Sequence, residues 1–318
     1  MSASTQSRTA LTDPLESDAE RARIGFAAAI TAYLSWGLLP FYLKAVQSVP
    51  AIEILAHRVV WAIPFGALII AFRGQWGEVW RALTHRRTLL ILIATSGLIA
   101  INWFVYIYAV VIGQVFQGSL GYYINPLMNV AVGVLFFQER LRSMQGAAVA
   151  FAAAGVAYLT FSGGQFPWIS LVLAVSFTCY AAIRKQVAIG AMPGLFIETL
   201  VLVPVALGYL GWLFGQQSAV FLAGDPGLSV LLTLAGPVTV VPLLMFALAA
   251  RRLQLTTIGI LQFMSPTIQF FIGVYYGEPL TTAHMVCFAC IWVAISLFAW
   301  DAWSQSRKIQ ALRAGRLV

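Results

Sequence analysis

Three ionisable residues stand together in an otherwise apolar stretch: Glu53, His57 and Arg58. A carboxylate and an imidazole four residues apart share one face of an α-helix and can pair there. With an arginine beside them, one chemistry they could serve is group transfer at a membrane surface. A second constellation is His284, Cys287 and Cys290, whose spacing H-x-x-C-x-x-C uses metal-ligand residue types. These residues, like Cys179, lie inside strongly apolar runs. They therefore read as small packing residues, and no metal site is expected. A third set is polar but mostly uncharged. Tyr122, Asn125, Asn129 and Gly133 are spaced three, four and four apart, which is one helix face. They sit within a run from Thr88 to Gln138 that carries no charge at all. Polar side chains there cost free energy unless they face something other than lipid.

The elements that must hold these residues follow from composition. Of 318 residues, 60% are hydrophobic and 9% charged, with a mean hydropathy of +0.85. A soluble chain has roughly a quarter of its residues charged, so this is an integral membrane protein. Charge-free runs cover 24–43, 88–138, 143–183, 199–224, 226–250, 253–277 and 279–300. A spanning helix needs about 20 apolar residues, so two of these runs hold two helices each. The expected fold is all-α and polytopic, with ten transmembrane helices. They lie near 24–43, 51–72, 88–111, 115–137, 143–162, 167–187, 194–214, 228–250, 255–276 and 283–303. The runs are continuous, without the apolar/polar alternation of a transmembrane β-barrel.

The net charge of +8 is a topology signal and does not indicate nucleic-acid binding. Lys and Arg cluster before helix 1, after helices 2, 4, 6 and 8, and after helix 10. The alternate loops, 45–50, 112–114, 163–166, 215–227 and 277–282, contain neither. The positive-inside rule then places both termini in the cytoplasm. Residues 1–22 read as a disordered cytoplasmic tail and 305–318 as a basic one. No cleavage site follows an apolar region before helix 1, so that helix is expected to be retained as an anchor.

Residues n and n+140 resemble each other over most of the chain. Pro64 matches Pro204, Ala109 matches Ala249, Gln114 matches Gln254, and Pro126 matches Pro266. Gly133-Val134 matches Gly273-Val274, and with a slip of one Glu139 matches Glu278. This places 23–162 and 163–304 on one another as two repeats of five helices. An odd number of helices makes the second copy start from the opposite side, so the repeats are inverted, as in many transporters with a midplane site. Under the same offset the polar face of helix 4 maps to Gln262, Ser265, Gln269 and Gly273 in helix 9. Two readings stay open for these faces. They line a substrate path, together with Trp36, Asn102, Trp103 and Tyr106, or they hydrogen-bond across packed helix interfaces. Pro126 and Pro266 would act as hinges, because proline frees a backbone carbonyl.

Ionisable residues within spans are functional candidates by default. Glu53, His57, Arg58, Glu198, Arg140 and Glu278 are gate or coupling candidates. Arg58 is expected to meet Glu278 on the outer side, and Glu198 to meet Arg140 or Arg142 on the inner side. Such pairs either latch the closed end in each state or orient helices as static ion pairs. Glu53, Glu198 or His57 could also carry a coupling proton. No phosphate-loop, zinc-protease or nucleophile-elbow motif occurs, so no nucleotide or other cofactor is expected.

Several stretches resemble the RarD proteins of the EamA-type drug/metabolite transporter superfamily: "EILAHRVVW" (53–61), "INWFVYIYAV" (101–110), "SLGYYINPLMNV" (119–130) and "FQERLR" (137–142). So do "IETL" (197–200), "VPLLMF" (241–246) and "YGE" (276–278), and the resemblance covers 23–303. It implies two five-helix EamA repeats and small-molecule export across an inner membrane. Members are commonly labelled chloramphenicol-sensitivity or chloramphenicol-resistance permeases. One departure stands out: RarD proteins usually read Glu-Ala-Ser-Leu-Gly-Tyr where this chain has Gln117-Gly118-Ser119-Leu120-Gly121-Tyr122.

The expected function is thus a secondary transporter, not an enzyme, moving small organic metabolites or drugs by alternating access. Its expected partners are a small-molecule solute and membrane lipid, with a coupling proton left open and no nucleic acid. An aromatic, amide-rich lining suits neutral or zwitterionic solutes better than polyanions. The competing classes are a membrane transferase built on Glu53, His57 and Arg58, and a sensor or scaffold that moves nothing.

Overall fold

The computed structural model describes residues 18–137, 143–163, 166–184, 186–253, 257–258 and 261–314, and no strand occurs among them. The helices are α1 (Asp18–Gly37), α2 (Leu39–Ala45), α3 (Ala51–Phe72), α4 (Trp76–Thr84), α5 (Arg86–Val111) and α6 (Val115–Phe137). They continue as α7 (Ser143–Gly163), α8 (Trp168–Arg184), α9 (Ala191–Gly215), α10 (Pro226–Ala250), α11 (Met264–Tyr275) and α12 (Thr282–Ala314). Among the described residues, seven helices are long and apolar enough to cross a membrane, and α8 is a shorter apolar helix. Burial is inverted relative to a soluble protein. Phe72, Phe161 and Val205 are largely exposed, while Glu53, Arg58, Asn102, Glu198 and Gln269 are buried. Lipid as solvent explains this, because apolar side chains lose nothing by facing hydrocarbon.

Four departures from the sequence reading have local causes. Helix 1 is broken at Leu38 into α1 and α2 by Pro40, in the first turn of α2. Proline has no N–H to offer the carbonyl four residues back, which here is that of Trp36. The first helix starts at Asp18, so 18–22 are helical rather than part of a disordered tail. An extra helix, α4, occupies the basic stretch between the second and third spans; it buries Val79 and Ala82 and exposes Trp80. Tryptophans on a short amphipathic helix beside a span suit the membrane–water boundary. Finally, α12 runs on to Ala314, so most of the expected basic tail is helical.

Tight connections keep the helices antiparallel. Gly113 and Gly277 follow α5 and α11 with φ of 76° and 72°, a left-handed cap that glycine adopts without Cβ strain. Asp225 caps α10 by accepting from the N–H groups of Gly227 and Leu228, with Pro226 opening the helix, as expected at a helix start. The strongest packing is α7 on α12, and α3 lies between α9 and α10. Helix α6 packs on α8 and α11, α1 on α10 and α11, and α5 on α8 and α9. Cys287 lies in the apolar cluster that joins α6, α7, α11 and α12, with Ala148, Ala152 and Phe288 as companions.

Candidate functional site

Arg58 projects from α3 into the space between α5, α6 and α10. Its Nε donates to Thr239 Oγ1 at 2.8 Å, and its guanidinium lies over the Trp103 ring with 4.3 Å from Cζ to the centroid. The hydroxyls of Tyr42, Tyr106 and Tyr122 are close enough to interact with it electrostatically. Tyr106 and Tyr122 face each other with ring centroids 5.3 Å apart. The Tyr122 hydroxyl donates to Asn102 Oδ1 at 3.3 Å. Asn102 in turn donates through Nδ2 to the Leu173 carbonyl and to Ser176 Oγ, both at 3.0 Å. So Asn102, expected on a substrate path, ties α5 to α8. Arg58, Trp103, Tyr106 and Tyr122 do come together.

Glu53 and His57 do not join that cluster. Glu53 Oε1 is 4.0 Å from His57 Nε2 and accepts from the Val220 N–H at 2.9 Å, while the His57 ring rests on Phe221 at 4.8 Å. The two side chains therefore lie side by side beneath the 216–225 loop, as helical spacing anticipates, with no hydrogen bond between them. Arg58, one residue on, turns to a different neighbour.

Of the two expected inter-helix ion pairs, the one between Arg58 and Glu278 is not formed. Glu278, the intended partner of Arg58, accepts from the N–H groups of Val115 and Phe116, the latter at 2.9 Å. It thus caps α6, where free N–H groups and the helix dipole favour an anion. Burial pushes its carboxyl above the usual carboxylate range, against the opposing pull of those two donors and of Lys44. Glu198 pairs with Arg184, whose Nε is 3.3 Å from Oε1. Thr95 Oγ1 also donates to Oε1 at 2.6 Å and the Tyr180 hydroxyl to Oε2 at 3.1 Å. Arg140 and Arg142 lie outside the described residues. In the sequence Arg184 stands among the basic residues that end helix 6 and mark topology.

The second polar face is tied to the first helix. Gln269 Nε2 donates to the Trp36 carbonyl at 3.0 Å, the group that Pro40 leaves without a helical partner, and to Ser265 Oγ at 3.3 Å. Helices α6 and α11 are joined by Ser119 Oγ to the Pro266 carbonyl at 2.7 Å and by Tyr123 to Thr267 at 2.6 Å. Pro266 lies in the first turn of α11, just after a turn at Gln262 and Phe263, which is where a hinge would bend. Asn125 is buried with its Oδ1 unpartnered, as is Oε1 of Gln269. The side chains of Pro126 and Asn129 lie outside the described residues. Gln117 Nε2 donates to Gln114 Oε1 at 2.9 Å, so the position where the family resemblance implies Glu holds a local amide pair here.

Comparison with known proteins gives a consistent picture. The EamA-like transporter family matches residues 23–161. An uncharacterized transporter of Pseudomonas aeruginosa is 42% identical over 290 residues, 90% of this chain and 97% of that protein. Protein RarD of Escherichia coli K12 is 41% identical over 90% of this chain and 97% of its own length. A second Pseudomonas aeruginosa protein, named chloramphenicol-sensitive protein RarD, is 32% identical over 89% and 96%. One solved crystal structure shares the fold at a TM-score of 0.58 with 18% identity, covering 90% of this chain and 99% of that one.

Proposed function

Because the chain belongs to the RarD subfamily of the EamA-type drug/metabolite transporter superfamily, we propose that it carries small organic solutes across a bacterial inner membrane by alternating access. Ten spans in two inverted repeats, both termini cytoplasmic, are the architecture behind this reading. The observation that carries it is the pattern of helix contacts. Helix α3 packs on α10 as α9 packs on α5, and α1 packs on α10 as α8 packs on α5. The pair α6–α8 recurs as α11–α1, while α3–α9, α6–α11 and α7–α12 are each their own counterpart. That is the pattern a two-fold exchange of halves produces, and it suits a bundle that reaches two states by swapping their shapes.

The solute would pass between α3, α5, α6, α10 and α11, where Trp36, Trp103, Tyr106, Tyr122, Asn125, Ser265 and Gln269 lie. Gln262 extends this lining, and Asn129, expected on the same path, lies outside the described side chains. Arg184 with Glu198 acts as an inner fastening, and Glu278 on the α6 N-terminus as an outer one. Glu53, His57 and Glu198 are the candidates for a coupling proton. Separation of Arg58 from the Glu53–His57 pair supports a transporter over a transferase, since the triplet forms no common site among the described residues.

The test is efflux from proteoliposomes loaded with a defined mixture of amino acids, other metabolites and chloramphenicol, with and without a pH gradient. Specific loss of one or more solutes is expected. Retention of every solute in both conditions contradicts transport of this class, and efflux indifferent to the gradient removes the proton.

A further inference from the structure

We infer that Arg58 forms a carboxylate-binding subsite within the path, so that the transported solute carries a carboxylate beside an apolar or aromatic body. This rests on the transporter reading above and names its substrate class. Arginine has five N–H donors in a rigid planar fork. Among the described residues the only hydrogen bond of Arg58 uses Nε, to Thr239, which leaves the four donors on the two Nη atoms unengaged. No carboxylate among the described residues pairs with it: Glu53, Glu198 and Glu278 are each held elsewhere. Yet the side chain is more than nine-tenths buried. A buried charge with no counter-ion is strongly unfavourable, and its persistence calls for a partner that arrives from outside.

The surroundings fit such a partner. Trp103 covers the guanidinium face, and stacking of this kind leaves the donor edge free for an in-plane, bidentate carboxylate. The Tyr106 hydroxyl is fully buried, lies close to Arg58 and has no hydrogen-bond partner. It supplies one further donor to a bound oxygen. The aromatic walls of Trp103, Tyr106 and Tyr122 leave a body of matching apolar character as the natural remainder of the ligand.

The matched probes are benzoate and benzamide, which differ at the carboxylate. The readout is thermal stability of the full-length protein purified in detergent, for the native chain and for Arg58→Met, Arg58→Lys and Tyr106→Phe. Benzoate should raise the melting temperature of the native protein and benzamide should not. Affinity for benzoate should fall roughly tenfold or more in Arg58→Met, with smaller losses in the other two. Should Arg58→Met fail to fold, guanidinium nitrogen NMR signals of the native protein that move with benzoate and not with benzamide serve in its place. Equal protection by the two probes, no protection by benzoate, or protection that survives Arg58→Met overturns the subsite. Flux is read separately in proteoliposomes. Arg58-dependent binding without any flux removes the transporter reading and keeps the subsite, whereas flux of neutral solutes untouched by Arg58→Met does the reverse.

Discussion

Arg58 in α3 and Glu198 in α9 stand 140 residues apart at matching places in the two sequence halves, one basic and one acidic. Both are buried, and both would be costly if left alone. Their surroundings differ in kind. Glu198 has an arginine, a threonine and a tyrosine within bonding reach, so each of its oxygens is engaged. Arg58 has one threonine, an aromatic face and three tyrosines, and no anion among the described residues. A buried charge whose partners are all supplied by the protein fastens helices together. One whose partners are missing stays ready for a ligand. Two buried charges 140 residues apart thus differ in what holds them.

The largest effect expected from this contrast is on stability. Replacing Arg184 by Met leaves Glu198 buried without its counter-ion and should cost about 3 kcal/mol or more. Arg58→Met removes a charge that has no counter-ion, and should leave unfolding within about 1 kcal/mol of the native protein or make it more stable. Denaturant unfolding in detergent, followed for both variants, checks the sign. Equal losses in the two would erase the distinction drawn between the sites.

Two glycines sharpen the contrast at somewhat smaller cost. A Cβ at Gly236 would overlap the Trp61 backbone carbonyl, where α10 meets α3 close to the Arg58–Thr239 bond. Backbone cannot yield cheaply, so Gly236→Ala should destabilise by about 2 kcal/mol and weaken benzoate binding as well. A Cβ at Gly194 would instead overlap the guanidinium of Arg184, a flexible end that can swing away. Gly194→Ala should cost part of what Arg184→Met costs, and adding it to Arg184→Met should cost little more, because both act through one contact. Additive losses in that double-mutant cycle would show that Gly194 does not act through the ion pair.

The smallest effect concerns pH. Glu278 lies outside the spans, and burial raises its carboxyl above the usual range. The folded state therefore holds that proton more tightly than the unfolded chain does. Its contribution to stability is fully present below the ordinary carboxylate range and is lost as pH rises through the raised value. Melting temperatures taken from acidic to neutral pH should fall more steeply in the native protein than in Glu278→Gln. Identical slopes would mean that Glu278 titrates normally.

Much of the bundle can be read from charge spacing alone. The expected limits of the second and fourth spans, 51–72 and 115–137, coincide with α3 and α6: Pro50 and Arg73-Gly74 bracket the first, and Gly113 and Glu139 the second. The same rule hides α4, whose Glu78 and Arg81 place it in what reads as a loop. It also hides the break at Leu38, since Pro40 sits inside an uninterrupted apolar run. For the site, helical spacing correctly places Glu53 beside His57 and puts Ser265 and Gln269 on one face. It does not say which neighbouring helix a face will meet. Arg58 and Glu278 are expected to meet, yet one finds Thr239 on α10 and the other the N-terminus of α6. The pairing of Arg184 with Glu198 is hidden for a related reason, since a cation that marks topology can equally turn inward and neutralise an acid.

The measurement closest to the central claim is thiol accessibility at positions 125 and 265 in a chain freed of Cys179, Cys287 and Cys290. Both positions are buried in this structure. Single cysteines there, probed in sealed vesicles with an impermeant reagent from one side at a time, should label from either side but with opposite responses when solute is added. If both stay unreactive from both sides while solute still crosses, the polar faces are packing surfaces and the path lies elsewhere.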